Sequence, residues 1–349
     1  MDIRAMRYFV AIVDQGSLTR AAEVVCVAQP ALSQQLAALE AEFGVALLHR
    51  SAKGVRPTEA GRTLYRHARA IIKQVEAAGA EVRVAGADVT GAVAIGLPTT
   101  AAAAFGMPLM RAVRERYPRV RLQLFESMSG YISELLNNGR LDFAILFRDT
   151  PSRAVEPEPL ATESLYLIGT PPAGSLRPPR RARRGSLHGA GGAGAAHDAD
   201  DGLDAAGEGT VALRQLDGVP LVLPSGAQGL RDVVERSFAR AGIRLEVVAD
   251  LDSLPFLLAS AREGLACTIL PASSVADAAP AVPRRLIVPE LRRTLSLCWP
   301  RALPRTHAAE AVAEILRELV AARIAEGGSL KRPPAPAEAA PATAAQADK

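Results

Sequence analysis

Residues 17–43 read SLTRAAEVVCVAQPALSQQLAALEAEF, and their pattern decides the fold of the first part of the chain. Ser17 is a good N-cap, and Leu18, Ala21, Ala22 and Val25 fall on one face of a short helix. After a tight turn at Val27, Ala28 and Gln29, a further helix opens at Pro30, where the missing N–H costs nothing. Its core stripe is Leu32, Leu36, Leu39 and Phe43, and Gly44 ends it. Two short helices, one tight turn and one apolar stripe each make a helix-turn-helix over residues 18–37. At about 100° per residue, Pro30, Gln34, Ala37 and Ala41 lie opposite the core stripe, flanked by Ser33 and Gln35. Small residues there permit close approach to a duplex groove, and amides reach base edges. Gln34 is the candidate base reader, because glutamine bonds adenine bidentately. Ser17, Gln29, Pro30 and Ser33 complete the candidate contact face. An ordinary three-helix unit with a solvated face is the competing reading.

The residues on either side favour nucleic acid. Upstream, Ile3, Met6, Val10 and Val13 recur at helical spacing, and Gly16 stops that helix. Downstream, LLHRSAKGVRPT (47–58) reads as strand, turn at Lys53-Gly54, strand: a basic β-wing. Between Gly44 and Lys73 lie seven basic residues, namely Arg50, Lys53, Arg56, Arg62, Arg66, Arg69 and Lys73, opposed only by Glu59. Roles then divide: the amide-bearing helix specifies, and the wing, through Arg50, Lys53 and Arg56, holds the phosphate backbone. Thr58 caps the next helix, whose N-terminus can also receive a phosphate.

That helix is long, running to about Asp88. Leu64, Ala68, Ile71, Val75, Ala78 and Val82 step by four and three, which is a heptad seam. A dimerising linker over 59–89 is expected; the alternative is a helix lying on its own domain. From Gly91 the pattern changes. Strands Ala92–Leu97, Val120–Phe125 and Phe143–Phe147 alternate with helices Met107–Arg116 and Ile132–Asn138. A second set follows between Leu221 and Leu270, and a last helix covers Ala308–Ile324. This order predicts a parallel, doubly wound sheet. The Pro-, Arg-, Gly- and Asp-rich stretch 171–209 lacks apolar side chains to offset its ordering entropy and reads as a disordered insertion. Its RRARR reads as a solvated loop, the alternative being a nucleic-acid or partner-binding patch. Residues 326–349 read as a disordered tail.

Composition excludes several classes. Hydrophobic residues make up 49%, enough for sizeable cores, so wholesale disorder is ruled out. Cys26, Cys267 and Cys298 have neither disulfide nor metal-ligand spacing and read as small buried hydrophobes in a reduced, cytoplasmic setting. MDIRAMRYFVAIVDQG lacks a signal-peptide pattern, and the uncharged run Ala92–Met110 is broken by Gly96, Pro98, Gly106 and Pro108, against a membrane span. A buried strand, a polar turn and a helix fit that run better. LPSGAQG lacks the glycine of a nucleophile elbow, no phosphate loop or dinucleotide fingerprint is present, and the five histidines are scattered. No catalytic residue, metal or cofactor is expected.

FVAIVDQGSLTRAAEVVCVAQPALSQQLAALEAEFGVALLHRSAKGVRPTEAG resembles the LysR-type transcriptional regulators in helix-turn-helix spacing, AQPALSQQ, LLHR and the R-PTEAG start of the linker helix. SLTRAAEVVCVAQPALSQQLAALE and LYRHARAIIKQVE look most like a branch concerned with nitrogen assimilation. The resemblance implies an N-terminal all-α winged helix-turn-helix (1–58), a linker helix (59–89), and an α/β effector domain (90–325). That domain would have two subdomains like the periplasmic solute-binding proteins, the first 91–162 plus 269–325 and the second 163–268. A ligand would sit between them, near Thr99, Thr100, Ser129, Phe147, Ser225 and Thr268. Hydroxyls and helix N-termini there suit a small organic anion, although Thr100 and Ser225 serve equally as helix caps.

The chain is therefore expected to be a cytoplasmic, sequence-specific regulator that binds double-stranded DNA as a homodimer or homotetramer, with RNA polymerase as a partner if it activates. A regulator responding to a small-molecule effector in another metabolic pathway is the alternative. A solute-binding protein with an incidental helical domain and a small-molecule enzyme using the cleft are the rivals from other classes.

Overall fold

The computed structural model describes residues 1–51, 54–83, 89–148, 150–172, 174–176, 208–226, 229–274, 282–327 and 329–333. Lys53, the end of the expected linker (84–88), most of the insertion (177–207) and the tail beyond 333 lie outside the described residues.

The head starts with α1 (Ile3–Gln15), capped by the Asp2 side chain, which accepts from the Ala5 N–H at 2.7 Å. Its buried stripe is Met6, Phe9 and Ile12; Val10 and Val13 are only half-buried, so the core face is turned about one residue from the one expected. Helix α2 (Leu18–Val24) and α3 (Gln29–Phe43) follow as predicted, with Ala21, Ala22, Leu32, Leu36 and Leu39 buried. Phe43 is 45% exposed and does not belong to the core. The turn between them is a Schellman motif: the Val27 N–H donates to the Ala22 carbonyl and the Cys26 N–H to that of Glu23. Cys26 takes the left-handed position that usually needs glycine, at φ 55°, and is exposed rather than buried as expected.

The wing is β1 (Leu48–Ser51) antiparallel to β2 (Gly54–Pro57), with His49 opposite Arg56 and Arg50 opposite Val55. Two contacts set its angle. The Val55 N–H donates to the Gly16 carbonyl at 2.9 Å, and Glu40 of α3 accepts from the N–H groups of Leu47 and Leu48. Helix α4 (Glu59–Arg83) begins under the Thr58 cap, whose hydroxyl accepts from the Gly61 N–H at 3.0 Å and donates to the Ala46 carbonyl.

The α/β part runs through β3 (Gly91–Pro98), α5 (Thr99–Arg116), β4 (Val120–Ser127), α6 (Ser129–Asn137), β5 (Phe143–Leu146) and β6 (Val155–Ile168). It continues with β7 (Glu208–Ala212), β8 (Pro220–Leu223), α7 (Gly229–Ala241), β9 (Glu246–Asp250), α8 (Leu254–Arg262) and β10 (Thr268–Pro271). It ends with β11 (Arg284–Val288), β12 (Arg292–Pro300), α9 (His307–Ala325) and β13 (Leu330–Lys331).

The sheet is mixed rather than parallel. Strand β3 is parallel to β4 and β5, but β12 runs antiparallel to both β5 and β6. The long β6 is the spine: its first part pairs with β12 and its last part with β10 and β11. No polar turn separates β3 from α5. The helix starts at Thr99 and carries Gly106 and Pro108 inside it, and its Ala-rich start is strongly helix-forming.

Two cores result. Ile95, Leu97, Phe105, Leu109, Phe143, Leu297, Trp299 and the inner face of α9 build the first, with Ile132, Leu135 and Leu136 of α6 packed on the other side of the sheet. Leu165, Leu167, Leu221, Val234, Phe238 and Leu257 build the second. Ile269, Leu270, Ile287 and Leu291 pack in this second core, so the return to the first lobe falls at β12 and not at residue 269. Leu330 is buried in the first core, and its strand pairs with Glu163 and Thr162, so residues 330–331 are not part of an unstructured tail.

Candidate nucleic-acid interface and effector cleft

On the head, burial of Leu32, Leu36 and Leu39 turns the opposite face of α3 outward. Gln29, Pro30, Gln34 and Gln35 are exposed and Ser33 is half-buried at its margin. These residues occupy the N-terminal half of α3, the part of a recognition helix that reaches bases. Ser17 caps α2, accepting from the Arg20 N–H at 3.4 Å. Thr58 lies at the foot of the wing with its hydroxyl engaged in the α4 cap.

The basic stretch divides. Arg50 and Arg56 are exposed on the wing, and Arg66 is exposed on α4. Arg62 is paired with Glu59. Arg69 and Lys73 turn the other way: Arg69 meets Asp14 at 3.1 Å and Lys73 meets Asp142 at 2.5 Å. Those two cations hold the protein together and are not free for phosphate. The seam expected on α4 divides as well. Ile71, Val75, Ala78 and Val82 are exposed and Leu64 is half-buried, while Ala68 is completely enclosed within its own chain.

The cleft lies where the first three strands of the α/β part end. It is lined by Thr99, Thr100, Met128, Ser129 and Phe147 from one lobe, facing Pro224, Leu230, Leu254 and Leu257 from the other. The cavity is about 40 Å³, far below the roughly 300 Å³ at which ordinary ligand pockets begin. Arg293 of β12 occupies its floor. It pairs with Glu163 of β6 at 2.5 Å, donates to the Thr100 hydroxyl at 2.9 Å, and lies 3.5 Å over the Phe147 ring. Both charged side chains are 3% exposed, and Ser273 donates to the second Glu163 oxygen. Burial draws the Arg293 guanidinium below its ordinary range, against the opposing pull of Glu163.

Thr99, Thr100, Ser129 and Phe147 are thus brought together around this cavity. Ser225 is bound by Asp252 through both its N–H and its hydroxyl, at 3.0 and 2.7 Å, and does not line the cavity. Thr268 is fully buried in β10, its hydroxyl without a partner among the described residues, and does not line it either. Sequence reading missed Arg293 and Glu163. The available signal was a single carboxylate in the apolar run LATESLYLI.

A winged helix-turn-helix joined by a long helix to a two-lobed α/β domain with a central cleft has the architecture of a DNA-binding regulator. Residues 3–62 match the bacterial regulatory helix-turn-helix proteins of the lysR family, and residues 86–183 and 199–321 match the LysR substrate binding domain. The chain belongs to the LysR family of transcriptional regulators. It is 34% identical over 330 residues to the nitrogen assimilation regulatory protein nac of Escherichia coli, covering 93% of this chain and 97% of that protein. The Klebsiella aerogenes protein of the same name is 36% identical, with 92% and 95% covered. A full-length OxyR variant from Pseudomonas aeruginosa has the same fold, with a TM-score of 0.67 at 23% identity over 91% of this chain and 98% of that one. Among the described residues no helix is long and apolar enough to cross a membrane.

Proposed function

We propose that the chain is a cytoplasmic regulator without enzymatic activity, whose α3 enters the major groove and whose target genes serve nitrogen assimilation. The observation that carries the DNA reading is the exposed Gln29–Gln35 face of α3 beside the exposed wing arginines Arg50 and Arg56. Gln34 reads base edges, Ser33 and Gln29 support it, and Arg50, Lys53 and Arg56 hold phosphates. The nitrogen link is supported by likeness to the two nac proteins over nearly the whole chain.

Ile71, Val75, Ala78 and Val82 offer a strip for a second copy, and a dimer so formed presents two heads to an interrupted palindrome. Phe43 and Val45, both exposed beside Leu64, continue that apolar strip at the start of α4. Pairs of dimers and contact with RNA polymerase complete the picture for an activator.

A second reading, response to a small organic anion, is favoured by Arg293 on the cleft floor. The anion would have to displace Glu163 and open a cavity of about 40 Å³. The experiment is genome-wide footprinting of the protein, followed by gel shifts on the sites found. Enrichment upstream of nitrogen-assimilation genes supports the proposal; enrichment elsewhere, with release or relocation by an added metabolite, favours the second reading.

A further inference from the structure

A group of ion pairs and hydrogen bonds joins the head to the first lobe. Asp14, the penultimate residue of α1, accepts from the Tyr65 hydroxyl and pairs with Arg69 of α4 and with Arg140, each at 3.1 Å. Arg140 belongs to the loop after α6, in the α/β part. Arg69 also donates through Nε to the Gly139 carbonyl of that loop at 3.2 Å. One turn further along α4, Lys73 pairs with Asp142 at 2.5 Å. Asp142 is 4% exposed and also accepts from the Ala94 N–H of β3 at 2.8 Å. Burial pushes the Tyr65 phenol up to about 12, so it remains a donor at neutral pH. Beside these contacts lies a cavity of about 430 Å³ bounded by Arg69, Lys73, Arg140 and Asp142.

The loop that makes these contacts is the far end of α6. The near end, Ser129, lines the cleft. Between them α6 is pressed onto β3 at Gly96, where a Cβ would come within 2.6 Å of Ile132 and Leu141. A nine-residue helix this tightly seated is a rigid connection, and a displacement of it at the cleft would reach Gly139–Asp142.

We propose that Arg140 and Asp142, with Asp14, Arg69 and Lys73, are positioning residues that fix the angle between the DNA-reading head and the effector domain, and that α6 connects this latch to the cleft. The proposal rests on the reading of the head as the DNA-binding part. It is tested with intact protein carrying Arg140→Glu, Asp142→Asn, or both, against the conservative Arg140→Lys. Fluorescence anisotropy measures affinity for DNA holding one half-site, and circular-permutation gel shifts with footprinting measure bending on a full operator.

The expected result is half-site affinity within about twofold of wild type, since the base and phosphate contacts lie elsewhere. Operator bending and footprint should change in Arg140→Glu and most in the double variant, and stay native in Arg140→Lys. Native bending and footprint in the folded double variant would overturn the latch. So would loss of half-site binding by a folded variant, because the residues would then serve the head itself. Failure of the wild-type protein to prefer any half-site would instead overturn the DNA reading on which the latch depends.

Discussion

Removing one charge from the Arg293–Glu163 pair should be among the most damaging conservative changes in the effector domain. In Glu163→Gln the shape is kept and the charge is lost, leaving a guanidinium that is 3% exposed. Breaking a buried pair from one side costs about 3–5 kcal/mol. Here the contacts of Arg293 to the Thr100 hydroxyl and to the Phe147 face survive, which places the expected cost near the lower end, about 3 kcal/mol. Urea unfolding followed by circular dichroism and by the fluorescence of Trp299, itself in the first core, should show the midpoint fall with an unchanged slope. Replacing both partners together, Glu163→Leu with Arg293→Met, should recover stability to within about 1 kcal/mol of native, because neither charge then has to be desolvated. A loss below about 1 kcal/mol for Glu163→Gln, the range of exposed pairs, would refute the assignment of a buried pair. So would a double variant less stable than the single one.

Three further outcomes follow from the geometry. Cys26→Gly relieves a side chain held at φ 55° in the helix-turn-helix turn and should raise the stability of the head by about 1 kcal/mol, read as a higher melting temperature. Gly61→Ala drives a Cβ to 2.0 Å from the Leu47 carbonyl, so the wing and α4 cannot both keep their places; loss of DNA binding with a lowered melting temperature is expected. Arg317 holds the Glu158 carboxyl below its ordinary value near 4.5 by donating from Nε and Nη2 at 2.8 and 2.9 Å. A lowered folded-state value means that the stability from this pair is full above the ordinary value and lost as pH falls through the lowered one. Acid unfolding below about pH 4.5 should therefore be blunted in Glu158→Gln, which lacks that titration.

The head was legible because its signals are local. Leu32, Leu36 and Leu39 at helical spacing and the Ser17 and Thr58 caps each act within a few residues. Phe43 was misplaced because the period of α3 outlasts the core it covers. The central strand β6 was invisible for a physical reason: Pro157 and Pro159 lack N–H donors and argue against a strand, yet both oppose β12, Pro159 opposite Ser296 at the irregularity there and Pro157 opposite Cys298. The start of α5 was hidden by Gly106 and Pro108, which tertiary packing tolerates. Arg293 and Glu163 lie 130 residues apart, and no local pattern brings them together. Likewise the inward turn of Arg69 and Lys73 depends on Asp14 and Asp142, so a count of charges along the chain overstates what faces DNA.

The most direct test is equilibrium binding of the intact protein to its operator and to a scrambled duplex over a salt series, for wild type, Arg56→Ala and Gln34→Ala. Affinity should fall steeply with salt, by a slope of about −0.9 per phosphate neutralised. Arg56→Ala should weaken both duplexes alike and lower that slope by about 1, while Gln34→Ala should narrow the gap between operator and scrambled DNA. Salt-independent binding, or an operator preference untouched by Gln34→Ala, would contradict the assignment of α3 as the reading helix and the wing as its phosphate clamp.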